Sequence, residues 1–310
     1  MKVIFMGTPD FSVGALEAII AAGHEVTAVV TQPDKPKGRG KEMQFPPVKT
    51  CAIEHHIPVL QPVKIKTPEA IAELKQYEAD VFIVAAFGQI LSQEILDMPK
   101  FGCLNIHASL LPKYRGAAPI QWVIIDGEKE TGVTIMQMNA GLDTGDMLTK
   151  KIVPIDAKET GETLHDKLAA AGAELIVETL PLVEQGKLQP EQQDESKTCY
   201  AKMLRKELGH IDWNSDAVSI ERLIRGLNSW PSAYTKFHGK TLKIWSADVD
   251  EVEADGTAGS ITDVKKDSFS VNTGKGKLII TECQLEGKKR MMVKDFLLGN
   301  QMEQNTTFDR

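Results

Sequence analysis

The feature that most constrains this chain is a repeated exchange of short apolar runs for helical stretches in its first 126 residues. Residues 2–6 (KVIFM) form an apolar run stopped by Gly7 and Pro9. Apolar positions then return at Val13, Leu16, Ile19 and Ile20 with the three- and four-residue spacing of a helix, which Gly23 ends. The exchange recurs at 26–30, 59–60, 81–86 and 104–106, with helical stretches near 47–55, 68–77 and 117–126. Strands separated by helices are joined by crossovers, which make them parallel and bury both faces of their sheet. An α/β fold with a doubly wound, mostly parallel sheet is therefore expected. Ligands of such sheets sit beyond the carboxyl ends of the strands, where Gly7, Phe87 and His107 fall.

After residue 130 the pattern changes. TGVTIMQMN and MLTKKIVPI alternate with a period of two and are bridged by AGLDTGD, whose glycines and aspartates suit turns, so an antiparallel extension with a loop at Asp143 is expected. A long helix is predicted over 160–184. From Gly186 to Lys206 the chain is polar, contains Pro190 and QPEQQDESK, and has no apolar periodicity, as suits an interdomain linker. Beyond a helical stretch at 217–227, the runs WPSAYTKF, TLKIWSADV, GSITDV, SFSVNT and KLIITECQL space short strands regularly, which suggests a small OB-like β-barrel. The expected division is a catalytic domain at 1–186, a linker at 187–206 and a C-terminal β-barrel at 207–310. Trp213, Trp230 and Trp245 are read as core packing rather than base-stacking platforms, since Trp230 precedes Pro231 at a junction and Trp245 sits in an apolar run.

Composition excludes several classes. No window of about 18 apolar residues exists to span a bilayer, and MKVIFMGTPDFSV lacks the apolar run and cleavage site of a signal peptide, so a cytoplasmic protein is expected. The four cysteines, Cys51, Cys103, Cys199 and Cys283, are far apart with no C-x-x-C spacing, which suggests neither a zinc site nor a disulfide framework. A net charge of −7 argues against indiscriminate coating of nucleic acid. Residues 206–310 carry 15 Lys and Arg against 16 Asp and Glu, which leaves room there for a local basic patch. No long apolar stripe is left over, which favours a monomer.

The first turn, G-T-P-D-F-S-V-G, lacks the G-x-G-x-x-G spacing, and Pro9 stands where a dinucleotide site needs glycine, so a nicotinamide role is disfavoured. Asn105 and His107 alternate on one strand and share a face near its carboxyl end. On spacing alone they are equally well a catalytic polar pair or satisfied structural polars. SLLPKYRGAAP follows at once, with Pro112 and Gly116 ordering a loop that exposes its backbone. Asp143 alone reads first as a turn residue.

Taken together, N-I-H with SLLPKYRGAAP, then AGLDTGD and the opening MGTPDFSV, closely resemble the folate-dependent formyltransferases, which have a Rossmann-like catalytic domain. Through IDWNSDA, RGLNSWPSAY and LKIWSA the tail resembles the members whose acceptor is the α-amine of initiator methionyl-tRNA. The resemblance implies Asn105, His107 and Asp143 as the catalytic trio and 10-formyltetrahydrofolate as donor, contacted by Ser109, Leu110, Leu111 and Pro112. FGQIL is similar to the segment lining the pteridine pocket, where backbone groups of Gln89 and Leu91 meet the ring edge.

These residue types suit the chemistry. As an amine attacks the formyl carbon, negative charge builds on the formyl oxygen, and N–H groups of Asn105 and His107 are suitable donors to it. A carboxylate at Asp143 favours the charged imidazole, fixes its tautomer and can carry the proton of the attacking amine. No metal and no Ser or Cys nucleophile is required.

The segment DKPKGRGK places Lys35, Lys37, Arg39 and Lys41 among Pro36, Gly38 and Gly40, a composition unsuited to helix or strand. By charge alone it is a solvated loop. In the tRNA-acting members the matching loop enters the acceptor end of the tRNA, and Arg39 falls on their arginine. Lys275, Lys277, Lys288, Lys289, Arg290 and Lys294 resemble those members' tRNA-facing tail surface, or are ordinary surface cations. The rival acceptors are glycinamide ribonucleotide, a sugar amine and water, each disfavoured by the length and domain order of the chain. A noncatalytic RNA-binding module is the rival from another class.

Overall fold

The structure, a computed structural model, describes residues 1–37 and 42–308. The chain opens with β1 (Lys2–Gly7), α1 (Val13–Ala21), β2 (Glu25–Val30), β3 (Lys35–Lys37) and β4 (Glu42–Gln44). Next come α2 (Pro47–Glu54), β5 (Val59–Leu60), α3 (Pro68–Leu74), β6 (Val81–Ala85), α4 (Gln93–Leu96) and β7 (Cys103–His107). β8 (Arg115–Gly116), α5 (Pro119–Ile125), β9 (Glu130–Gln137), β10 (Met147–Pro154), α6 (Gly161–Glu184) and β11 (Tyr200–Ala201) follow. The alternation read from the sequence is the alternation observed.

A seven-stranded sheet takes the order β10-β9-β7-β6-β1-β2-β5. Neighbours from β7 to β5 run parallel, and β9 and β10 extend the sheet antiparallel. β6 (VFIVA) is buried along its whole length, as a strand covered by helices on both faces must be. On one face Ile4, Met6, Val30, Phe82 and Val84 join Ile71, Leu74 and Ile95 in a single core. On the other, Gly172 brings α6 against β7 so closely that an added Cβ would lie 2.8 Å from Ile106 Cγ2.

The expectation that 34–41 holds no strand is corrected. Lys35–Lys37 pair antiparallel with Glu42–Gln44. Pro36 has no N–H to donate, which a two-stranded ribbon tolerates because each strand has an open edge.

Contacts divide the chain into two compact units, one of residues 1–119, 130–154 and 165–201, the other of 120–129, 155–164 and 202–310. The polar stretch expected as a linker thus divides at Ala201, with 187–201 in the first unit.

In the second unit α7 (Ala217–Gly226) is followed by β12 (Ala233–Phe237), β13 (Lys240–Asp250), β14 (Ile261–Val264), β15 (Phe269–Asn272), β16 (Lys277–Leu285), β17 (Met291–Met292) and α8 (Val293–Phe296). The sheet runs β12-β13-β16-β15-β14, with β17 on β16. Among the described residues no pairing joins β14 to β12, so the expected barrel is here an antiparallel sheet without closure. The tail occupies the edge instead: Ile261 N donates to Thr306 O (2.8 Å) and Asn305 N to Ile261 O (2.7 Å).

Trp213 lies in the core, stacked on Phe308 with centroids 5.4 Å apart. Trp230, expected in a core, is 55% exposed: the chain enters β12 through buried Pro231 and Ser232 and leaves the preceding side chain outside. Trp245 is half-buried, with Lys243 and Arg290 over its ring at 5.6 and 4.6 Å. Among the described residues no helix is long and apolar enough to cross a membrane, and no group of three His, Cys, Asp or Glu could hold a metal ion.

Candidate active site

Asn105 and His107 occupy the carboxyl-terminal end of β7, paired in register with Met136 and Thr134 of β9. His107 is 5% exposed. Its Nε2 lies 3.0 Å from the Tyr114 carbonyl oxygen, an atom that can only accept, which assigns the ring proton to Nε2. Nδ1 is thereby left toward Asp143, whose Oδ2 is 3.8 Å away, beyond hydrogen-bond length. Neutral, that nitrogen offers a lone pair; charged, it becomes a donor beside a carboxylate. Asn105 is half-buried, and among the described residues its side-chain amide has no hydrogen-bond partner, which leaves it available to a ligand.

The 109–118 loop is held by its own backbone and by Thr134. The Thr134 hydroxyl donates to Ser109 O (2.7 Å) and accepts from Leu111 N (3.1 Å), while Ser109 Oγ donates to Lys113 O (2.7 Å). Ser109 and Leu111 are buried, whereas Leu110 and Pro112 are half-buried. Gly116 has a φ of 111°, and its N–H donates to Asp143 Oδ2 at 2.8 Å.

Asp143 stands in the left-handed region at φ 52°, as does Tyr114 at 58°. Both contact His107, through a carboxylate and a carbonyl. Non-glycine residues in this region carry strain of about 1–3 kcal/mol each and persist only where surrounding contacts impose them. The contacts around Asp143 are visible. Asn139 Oδ1 accepts from Gly141 N (2.9 Å) and Thr144 Oγ1 (2.8 Å), and Gln193 Nε2 donates to Asp143 O (2.9 Å) and Gly145 O (2.7 Å).

Gln89 and Leu91 lie beyond the end of β6, where Ala86 and Gly88 adopt positive φ of 45° and 80°. The Gln89 side chain is committed to the 62–65 segment, accepting from Ile65 N (2.7 Å) and donating to Pro62 O (3.1 Å). Leu91 packs in the core. Lys35 and Lys37 lie on β3, while Arg39 and Lys41 lie outside the described residues. Of the second cationic cluster, Lys277 is paired with Asp255 (2.9 Å) and Arg290 with Glu282 (2.6 Å), whereas Lys275, Lys288, Lys289 and Lys294 are exposed.

The site thus contains a polar strand end, a carboxylate beside an imidazole, and a loop held in place by bonds to its backbone. Sequence reasoning missed Thr134, Tyr114 O, Gly116 N and Gln193. The first faced the core in a strand read only for its alternation, two are backbone atoms, and the last sat in a stretch without periodicity.

Two family profiles match this chain: formyl transferase over residues 1–180, and formyl transferase, C-terminal domain, over 203–301. A curated methionyl-tRNA formyltransferase of Agathobacter rectalis is 58% identical over 308 residues, covering 99% of both chains. That of Geobacter sulfurreducens is 52% identical over 306 residues, covering 99% of this chain and 96% of the relative. Among solved structures, an N-formyltransferase from Helicobacter canadensis in complex with folinic acid and dTDP-3-aminofucose shares the fold, with TM-score 0.66, 22% identity, and coverage of 90% of this chain and 98% of that one. HypX from Aquifex aeolicus in complex with tetrahydrofolic acid does so with TM-score 0.62, 20% identity, and coverage of 96% and 47%.

Proposed function

Because the chain belongs to the formyltransferase family, we propose that it transfers the formyl group of 10-formyltetrahydrofolate to the α-amine of initiator methionyl-tRNA. The observation that carries this reading is likeness over the whole chain, second unit included, to curated methionyl-tRNA formyltransferases.

The donor supplies an electrophilic formyl carbon on a nitrogen able to leave. Asn105 donates its side-chain N–H to the formyl oxygen, where charge develops as the carbon becomes tetrahedral. His107, with Nε2–H committed to Tyr114 O, works through Nδ1, which donates to the same oxygen when protonated. Asp143 lies 3.8 Å from that nitrogen, where it takes the proton released by the attacking amine, directly or through water. The leaving nitrogen takes up a proton in turn, and the carboxylate returns to its starting state. Leu110 and Pro112, with the backbone of Gln89 and Leu91, hold the folate, an assignment supported by their place beside β6 and β7. Lys35, Lys37, Arg39 and Lys41 meet the acceptor end of the tRNA, and in the second unit exposed Lys275, Lys288, Lys289 and Lys294 offer cations to its phosphates. The protein acts as a cytoplasmic monomer.

The test supplies labelled 10-formyltetrahydrofolate with methionyl-tRNA, uncharged tRNA, free methionine, glycinamide ribonucleotide or a nucleotide-linked amino sugar. Label is expected in methionyl-tRNA alone. Transfer to the ribonucleotide or the sugar with none to methionyl-tRNA refutes the acceptor. Arg39→Ala is expected to lower kcat/KM for methionyl-tRNA by about 10-fold or more, the worth of one charged hydrogen bond; an unchanged value removes the 35–41 segment from tRNA binding.

A further inference from the structure

Resting on that reading of the site, we propose that Gln193 is a positioning residue for the reaction: from a polar stretch 50 residues downstream it sets the backbone of Asp143 and so the carboxylate beside His107. Gln193 is 6% exposed, and every hydrogen-bonding group of its side chain is used. Nε2 has two hydrogens and meets two carbonyl oxygens, Asp143 O at 2.9 Å and Gly145 O at 2.7 Å. Oε1 accepts from Arg115 Nε at 2.9 Å. Only an amide of this length offers two donors on one side and an acceptor on the other.

Arg115 is the reason this matters to His107 as well. It is 2% exposed, and its remaining guanidinium nitrogens grip both oxygens of Glu195 at 2.9 and 2.8 Å. That guanidinium holds the Glu195 carboxyl below its ordinary range. Its two chain neighbours touch the two candidate catalytic groups: Tyr114 O meets His107 Nε2 at 3.0 Å, and Gly116 N–H meets Asp143 Oδ2 at 2.8 Å. The contacts close a ring, Arg115 to Gln193, on to Asp143, across to Gly116 and back along the chain to Arg115, with His107 set beside it by Tyr114 O and by Asp143 Oδ2. Gln193 ties the Asp143 loop to the 109–118 loop by side chain, beside the direct bond from Gly116 N to Asp143 Oδ2. Around it the same stretch repeats the attachment: Glu191 pairs with Met147, Thr198 Oγ1 donates to Pro112 O (2.8 Å), and Cys199 O accepts from Arg115 N (3.0 Å).

The two donors explain how Asp143 keeps a left-handed backbone at φ 52° without being glycine. A side chain that fixes the Asp143 carbonyl and that of Gly145 two residues on restricts the loop to the conformation that directs the carboxylate at Gly116 N and His107 Nδ1. Misplacement of a reacting group by about 1 Å is enough to lower turnover about 100-fold.

Gln193→Glu separates positioning from support. A glutamate keeps, and by charge strengthens, the acceptor for Arg115, but sets a carboxylate against two carbonyl oxygens. Gln193→Met keeps the length and removes all three bonds. Both full-length variants are assayed for formyl transfer to methionyl-tRNA, with thermal melting, tetrahydrofolate affinity and the double variants with Asp143→Asn. We expect kcat to fall about 10- to 100-fold in both, with KM for both substrates and tetrahydrofolate affinity within about threefold of wild type. In the Asp143→Asn background, changing Gln193 is expected to add little further loss, because its effect passes through Asp143. Near wild-type kcat in Gln193→Glu, or losses that multiply in full with Asp143→Asn, overturns the proposal. Absence of formyl transfer by the wild-type protein instead overturns the proposed function.

Discussion

Replacing Gly116 by alanine tests whether the Gly116 N–H governs the Asp143 carboxylate. At φ 111° an L residue is strained, and the new Cβ would lie 2.8 Å from Ala201 O. That oxygen belongs to the backbone of β11 and cannot swing aside. Reaching an ordinary contact of about 3.4 Å from 2.8 Å requires about 0.6 Å of movement, which falls on the Gly116 backbone. Its N–H, now 2.8 Å from Asp143 Oδ2, is carried toward the limit of hydrogen bonding. Strain of about 1–3 kcal/mol in a unit of this size lowers Tm by about 2–12 °C. Losing a charged hydrogen bond worth about 1.5–3 kcal/mol lowers kcat by about 10- to 150-fold. Scanning calorimetry reads the first quantity and single-turnover formyl transfer the second. A Gly116→Ala protein melting within about 1 °C of wild type, with kcat within about twofold, would show that the loop yields freely and that the close approach to β11 does not control the carboxylate.

Asp143→Asn retains an oxygen for Gly116 N but loses the charge, and His107→Asn loses the imidazole; each is expected to reduce kcat about 100- to 1,000-fold while equilibrium dialysis still shows tetrahydrofolate binding, and near wild-type turnover removes that residue from the catalytic role. Thr134→Val deprives Ser109 O and Leu111 N of their shared buried hydroxyl, at about 1–3 kcal/mol for each group left unpaired. Its Tm should fall and its KM for the folate donor rise, with Thr134→Ser restoring both; an unchanged Tm refutes the role of Thr134. Burial pushes the thiols of Cys51, Cys103 and Cys283 up to about 11, 12 and 12, so they stay protonated at pH 8. Ellman's reagent should therefore titrate one thiol, exposed Cys199, in the folded protein and four after denaturation, and rapid release from two or more folded thiols contradicts that burial.

The β/α alternation was legible because fully buried strands and half-buried helices leave different apolar periods, as KVIFM and Val13–Ile20 show. Asn105 and His107 were legible as a pair for the same geometric reason, and Asp143 only through the motif around it. Gly116 N and Tyr114 O left no trace because backbone atoms have no residue type. Gln193 was hidden by the same absence of apolar period that made 187–206 look like a linker, and its bond to Arg115 left no pattern because it is polar and spans 78 residues of chain. The closure expected of the second sheet failed on another non-periodic segment, the 305–307 tail that lies on β14.

The order of the chain gives the Gln193 contacts a meaning in synthesis. When the ribosome has released residues 1–186, every strand of the seven-stranded sheet and all of α6 are present, together with Asn105, His107 and Asp143. Gln193, Cys199 and Ala201 have yet to arrive, so the loops that carry the reactive groups lack their outer attachments. At that point the strands of the sheet are present and the bonds that hold the reactive loops from outside are not. A protein truncated at Gly186 should retain the circular dichroism of its sheet and lack turnover; turnover by that fragment would show that the later segment is dispensable.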